Sequence, residues 1–151
     1  AKAQVAARLV QEELKSDAYQ KLVIFVQHLD VGKTLLDALA PFGTMFLNGS
    51  TTPTMRQQYI DAFQQDASKR VFIGQLQACS TAITLHAASQ VLFVEQSWVP
   101  AENAQAAKRC HRIGQTQPVF VRMLALSKSI DEAVARVLAR KTQAISELME
   151  N

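Results

Sequence analysis

Glycine is scarce in this chain, five among 151 residues, and cysteine is scarcer, with two. So few glycines leave no glycine-rich loop after any candidate strand. That disfavours a free-standing nucleotide-binding regulator, because a backbone wraps phosphate only where side chains stay out of the way. Cys79 and Cys110 show no metal-like pairing with His28, His86 or His111. A zinc site and a disulfide framework are therefore disfavoured, and both thiols are expected to be reduced, small and buried. No apolar run reaches membrane length and no signal peptide stands at the start, so the reading is a soluble intracellular protein without a membrane partner. Because the first residue is alanine, the chain is expected to be a piece of a longer one. It carries no visible repeat or low-complexity linker, and residues 1–151 are read as a single domain with one core.

Charge excludes little. Sixteen lysines and arginines against thirteen acids give a net charge of +3, which permits a nucleic-acid partner without demanding one. Gly32-Lys33-Thr34 ends like a phosphate loop, but the first glycine of that loop would stand at position 27, where this chain has glutamine. Lys33 is read as a solvated helix residue. An Asp-Glu pair at a strand end, which would hold a catalytic magnesium, is also missing, and Asp131-Glu132 reads as a helix opening.

Five short runs rich in β-branched and aromatic residues, 21–27, 43–48, 70–75, 90–95 and 118–125, alternate with helical patterns. Continuous apolar runs such as Val91-Leu-Phe-Val94 suit strands covered on both faces, so the expected fold is α/β with a mostly parallel sheet flanked by helices. Asp30 is the expected cap of a helix over 31–40, Thr52-Pro53 opens the next, and Ser129 with Glu132 forms a capping box. The spacing of Ile130, Val134, Val137, Leu138, Ile145 and Leu148 predicts a C-terminal helix from about 130 to 149 that docks on the core.

On a helix, Gln105, Arg109 and Arg112 share one stripe, because at about 100° per residue offsets of 0, 4 and 7 fall within roughly a sixth of the circumference. Ala106, Cys110 and Ile113 form a small apolar stripe beside it, suited to packing on a sheet. The arginines then face a polyanion, although two arginines alone also suit a solvated helix face.

The full string Gln105-Ala-Ala-Lys-Arg109-Cys-His-Arg112-Ile-Gly-Gln115 resembles the last conserved motif of the Swi/Snf-type DNA translocases, members of helicase superfamily two. Lys21–Asp30, Leu47–Thr52 with Arg56 and Phe63, Val71–Gln75, Thr81–Leu85 and Val91–Pro100 are similar to the family's preceding blocks, in the same order. The spelling is nearest to the annealing-helicase branch.

This resemblance implies a second, C-terminal RecA-like lobe with a three-layer fold. Its partners would be duplex DNA and the N-terminal RecA-like lobe of the same polypeptide. ATP and Mg²⁺ would be bound mainly by that other lobe, so the isolated chain is expected to be inactive. Arg109 and Arg112 would be arginine fingers, with Gln105 and Ala82 on the nucleotide side. Carried over position by position, the DNA contacts would be Gln27, Gly49, Ser50, Thr51, Gln75 and Gln77, through backbone amides and short polar groups that hold phosphate without reading sequence. For Ser50 and Thr51, turning the chain and capping a helix is an equal reading.

Gln75-Leu76-Gln77 departs from the family's Ser-Thr-Arg, Ala82 from its Gly, and Val99 from its Asn. A threonine at 76 would be expected to strengthen the DNA contact if that loop faces the strand. Trp98 suits either base stacking or the core, and His111 suits orienting its helix. These departures keep a second function open, a degenerate lobe that serves as a non-catalytic nucleic-acid or protein-binding scaffold.

Overall fold

The computed structural model of the protein describes residues 2–79, 85–95, 100–107, 118–126 and 135–141. Short apolar runs bounded by polar turns form β1 (Leu22–Val26), β2 (Thr44–Leu47), β3 (Val71–Gln75), β4 (Gln90–Phe93) and β5 (Phe120–Leu126). Their order in the sheet, with a sixth strand β6 (Ala135–Lys141), is β2-β3-β1-β4-β5-β6. The first five run parallel, with β1 at the centre. Leu22 stands opposite Val71 of β3, and Val23 opposite Val91 of β4.

All of β1 is buried, and its alternate residues serve two cores, as the two-residue period of a strand dictates. Leu22, Ile24 and Val26 pack under Val10 and Leu14 of α1 (Lys2–Lys15) and Leu35 and Leu39 of α2 (Leu29–Leu39). Val23 and Phe25 face the opposite layer, where Ile60 and Phe63 of α3 (Pro53–Gln65) and Ala106 of α4 (Pro100–Ala107) close the core. Each large side chain buried there contributes roughly 1.5–3 kcal/mol of transfer free energy. Polar ties fix the layers further. Arg122 of β5 forks onto Glu13 of α1 at 2.6 and 2.9 Å, and Tyr19 donates its hydroxyl to the same carboxylate at 2.9 Å. The Lys21 ammonium donates to the carbonyls of Phe63, Asp66 and Lys69, so it caps the carboxyl end of α3 just before β1 begins.

Three details differ from the sequence expectations. Residues 135–141 form β6, antiparallel to β5 with Leu126 opposite Ala135 and Phe120 opposite Lys141, where a helix over about 130–149 was expected. The physical reason is the open edge of β5. Seven-residue pairing satisfies that row of backbone groups, and the closely spaced Val137 and Leu138 suit either period. The rest of that helix and the Ser129–Glu132 capping box lie outside the described residues. Helix α2 starts at Leu29 with His28 as its cap residue, so Asp30 sits in the first turn, where its charge meets the helix dipole. Finally, α1 lies in a stretch that carried no expectation of its own.

Thr52 does cap α3, accepting from the Met55 amide at 3.2 Å with Pro53 at the first helical position. Lys33 is exposed on α2. Gly32, one turn into the same helix, donates its amide to the His28 carbonyl. Its α-carbon faces the ring of Phe46, and a Cβ there would stand 2.1 Å from Phe46 Cζ. Close packing of helix on strand therefore accounts for this glycine.

Candidate nucleic-acid and nucleotide interface

A parallel sheet brings the carboxyl ends of its strands to one edge, and an open α/β sheet binds ligands where the connections leaving neighbouring strands diverge. Here β1 leads to α2 on one face, while β4, its neighbour, leads to α4 on the other. The crevice between their ends is the switch point of the sheet.

A continuous set of polar contacts runs along this edge. The Gly49 amide, beyond β2, donates to Oε1 of Gln75 at 3.2 Å. Gln75, at the end of β3, donates from Nε2 to the Gln27 carbonyl at 3.2 Å. Beyond β1, the amides of Gln27 and His28 both donate to Glu95 Oε1, at 3.0 and 2.8 Å, and His28 Nδ1 lies 2.5 Å from Glu95 Oε2. Four successive strands of the sheet are thereby strapped together just past their ends.

Burial raises the Glu95 carboxyl, but the His28 amide, the His28 ring and the Gln27 amide outweigh it, and the net shift is downward. His28 is shifted upward by its hydrogen bond to Glu95 and by that carboxylate's charge. Both shifts favour an ion pair in which Glu95 is largely covered and the imidazole stands mostly in solvent.

The residues chosen from sequence fall into three groups. Gln27, Gly49, Ser50, Thr51 and Gln75 come together at this edge. The loop amides offered to phosphate have partners inside the fold: Ser50 donates to Asn48 Oδ1 at 2.8 Å, and Thr51 donates to the Asn48 carbonyl while its hydroxyl accepts from the Asn48 amide. The side chains of Gln77 and Ser50 remain on the surface.

Leu76 corrects the expectation for its loop. It is 5% exposed and belongs to the α3-side core, so a threonine there would bury a hydroxyl. Its turn is held by Arg56, whose Nη1 donates to the Ala78 carbonyl at 2.8 Å. Of the residues expected toward the nucleotide, Gln105 is exposed on α4 beside buried Ala104 and Ala106. Ala82, Arg109 and Arg112, with Trp98 and His111, lie outside the described residues.

Sequence reasoning passed over Glu95 and His28. The signal was present in an acid at a strand end, directly after the apolar run of β4.

Known proteins share this chain's organisation. The helicase conserved C-terminal domain family matches residues 4–114. A Drosophila melanogaster protein, SWI/SNF-related matrix-associated actin-dependent regulator of chromatin subfamily A-like protein 1, is 33% identical over 154 residues, covering 97% of this chain and 20% of the relative. The human DNA annealing helicase and endonuclease ZRANB3 is 32% identical over 145 residues, covering 95% of this chain and 13% of the relative. The chain thus spans a fifth or less of either protein.

Among solved structures, the C-terminal part of the Fun30 ATPase domain superposes with a TM-score of 0.77 at 28% identity, covering 98% of this chain and 51% of that one. The Sulfolobus solfataricus SWI2/SNF2 ATPase core in complex with dsDNA gives 0.63 at 26% identity, covering 80% and 25%. With its RecA-like sheet between two helical layers, the chain belongs to the helicase conserved C-terminal domain family, in its Swi/Snf-type branch.

Proposed function

We propose that this chain is the second motor lobe of an ATP-driven duplex-DNA translocase or remodeller that acts, DNA-associated, inside the cell. The observation that carries the reading is the shared carboxyl edge. The loops after β1, β2 and β3 meet there in one polar surface, and α4 leaves the end of β4 at the same edge with Gln105 exposed, just ahead of Arg109 and Arg112 in sequence. In this reading Arg109 and Arg112 present guanidinium donors to the terminal phosphate of ATP held by the other lobe. There they offset the charge that phosphoryl transfer spreads over its oxygens, and Gln105 and Ala82 line the same side. Among the described residues no three His, Cys, Asp or Glu side chains converge as a metal cage, and Glu95 is occupied by His28 and Gln27. In this reading magnesium, as the family resemblance implies, would be bound mainly by the other lobe. Gln27, Gly49, Ser50, Thr51, Gln75 and Gln77 lie along the DNA strand, and closure and reopening of the two lobes around ATP moves them stepwise.

The test is ATP turnover of the longer protein with and without duplex DNA, paired with anisotropy titrations of duplex DNA at several salt concentrations. Stimulation by DNA, together with binding that weakens steeply in salt and ignores sequence, is the expected result. A second reading, a non-catalytic nucleic-acid or protein-binding scaffold, draws support from the inward Leu76 and from the internally bonded amides of Gly49 and Ser50, which leave fewer groups to grip phosphate. Absence of any ATP turnover in the longer protein, with DNA binding retained, would favour it.

A further inference from the structure

The contacts along the carboxyl edge form one connected path, and Glu95 is where that path crosses from the DNA-side loops to the strand that leads into α4. Its Oε1 receives two amides from the turn between β1 and α2, and its Oε2 meets the His28 ring. Helix α2 has no side-chain cap of its own at His28, so this turn is held from β4 and not from within. Gln27 is bonded on both sides, through its amide to Glu95 and through its carbonyl to Gln75. Gln75 in turn holds Gly49. A displacement of any of the three loops therefore pulls on the end of β4, and α4 begins five residues after Glu95, at Pro100.

We propose that Glu95 is a positioning residue. Its carboxylate clamps the turn between β1 and α2 to the end of β4, and so transmits DNA engagement at Gln27, Gly49 and Gln75 to the helix that carries Gln105 toward Arg109 and Arg112. The inference rests on the motor reading above. Both carboxylate oxygens of Glu95 are engaged within the fold, by the Gln27 and His28 amides and the His28 ring. Its location at the switch point of the sheet, between strands whose outgoing helices lie on opposite faces, makes it the one described carboxylate that joins the two halves of this edge.

The experiment uses the longer protein and compares turnover without DNA, turnover at saturating duplex DNA, KM for ATP, and Kd for DNA. Glu95→Ala is expected to lower the DNA-stimulated kcat about tenfold, in the range typical of site-to-site coupling, while turnover without DNA, KM and Kd stay within about twofold. Glu95→Gln keeps an oxygen for the two amides and is expected to restore at least half of the stimulation. A purely structural role would instead lower turnover with and without DNA alike. In a double-mutant cycle, Glu95→Ala combined with Gln75→Ala should be less than additive, since both cut the same path.

If Glu95→Ala does not fold, His28→Ala carries the test. It removes only the contact of an exposed ring, and a loss of stimulation of roughly two- to fivefold is expected. Wild-type protein whose turnover DNA does not stimulate would overturn the motor reading and the coupling with it. Normal stimulation in the wild type, unchanged in a folded Glu95→Ala and His28→Ala, would overturn the coupling alone.

Discussion

Replacing Gly32 by alanine separates two explanations of Gly32-Lys33-Thr34, and the structure sets the sign of the effect. An ordinary glycine inside a helix is destabilising, and alanine there gains about 1 kcal/mol. At Gly32 the new Cβ would lie 2.1 Å from Phe46 Cζ and 2.6 Å from each Cε, whereas carbon atoms settle at roughly 3.5–4.0 Å. Phe46 is buried at 6% exposure in the core beneath α2, so its ring cannot swing into solvent. Helix and strand must separate by more than an ångström. Overpacking of this kind costs about 1–3 kcal/mol and, with backbone on one side and a trapped ring on the other, the upper end applies. The net expectation is a loss of about 2 kcal/mol, or roughly 4–8 °C in Tm for a domain of this size.

Thermal unfolding followed by circular dichroism measures it, with Lys33→Ala as the companion variant. Lys33 is exposed, so that change should stay within about 0.5 kcal/mol. Adding Phe46→Leu to Gly32→Ala should recover part of the loss by shortening the obstructing side chain. A Gly32→Ala chain more stable than wild type would refute the packing argument. Calorimetric ATP binding that disappears in Lys33→Ala would restore the phosphate-loop explanation.

Further outcomes are expected at other positions. Arg109→Ala or Arg112→Ala in the longer protein should lower ATP turnover on the order of 10³- to 10⁵-fold with the fold intact, as steady-state kinetics and circular dichroism together would show, and Gln105→Ala should cost less. Leu76→Thr should destabilise the chain by about 2 kcal/mol in urea unfolding and leave DNA affinity no tighter, because its hydroxyl would enter the α3-side core. Lys21→Met should cost about 2 kcal/mol in the same assay by leaving the carbonyls of Phe63, Asp66 and Lys69 without their ammonium donor.

The His28–Glu95 pair predicts a pH profile. Glu95 is lowered in the fold, so its contribution is present above the ordinary carboxylate value of 4.5 and fades as pH falls through the lowered value. His28 is raised, so its contribution is full below the ordinary value of 6.5 and fades as pH climbs through the raised one. The stability difference between wild type and His28→Ala should therefore be greatest between those limits and shrink on either side. A difference that does not vary with pH would refute the pairing.

The sheet was legible because its strands announce themselves. Runs such as Leu22–Val26 and Val91–Phe93 are apolar throughout, which only burial on both faces rewards. Thr52-Pro53 was legible for a local reason, since cap and helix lie within three residues. Helix α1 was not, because its buried stripe is largely alanine, Ala3, Ala6 and Ala7, which carries little hydrophobic contrast. Contacts between distant segments were equally hidden. The acid that holds the turn before α2 lies 67 residues from His28, and the inward turn of Leu76 depends on an arginine 20 residues earlier. In the candidate site, the sequence picked out the loops after β1, β2 and β3, which the fold brings to one edge, but did not reveal which of their amides were already bonded.

The central position of β1 also bears on how the protein is made. This strand precedes both of its neighbours in the chain, and all five of its residues are buried in the finished fold. At roughly 5–20 residues per second, the ribosome needs a few seconds to travel the roughly 45 residues from Val26 to Val71, and longer to reach Val91. During that interval Leu22-Val-Ile-Phe-Val26 has no strand partner on either side, and its faces can be covered only by the helices α1, α2 and α3 as each is completed. An apolar strand is thus made before either of its strand partners exists, a natural point of engagement for a chaperone at the exit tunnel.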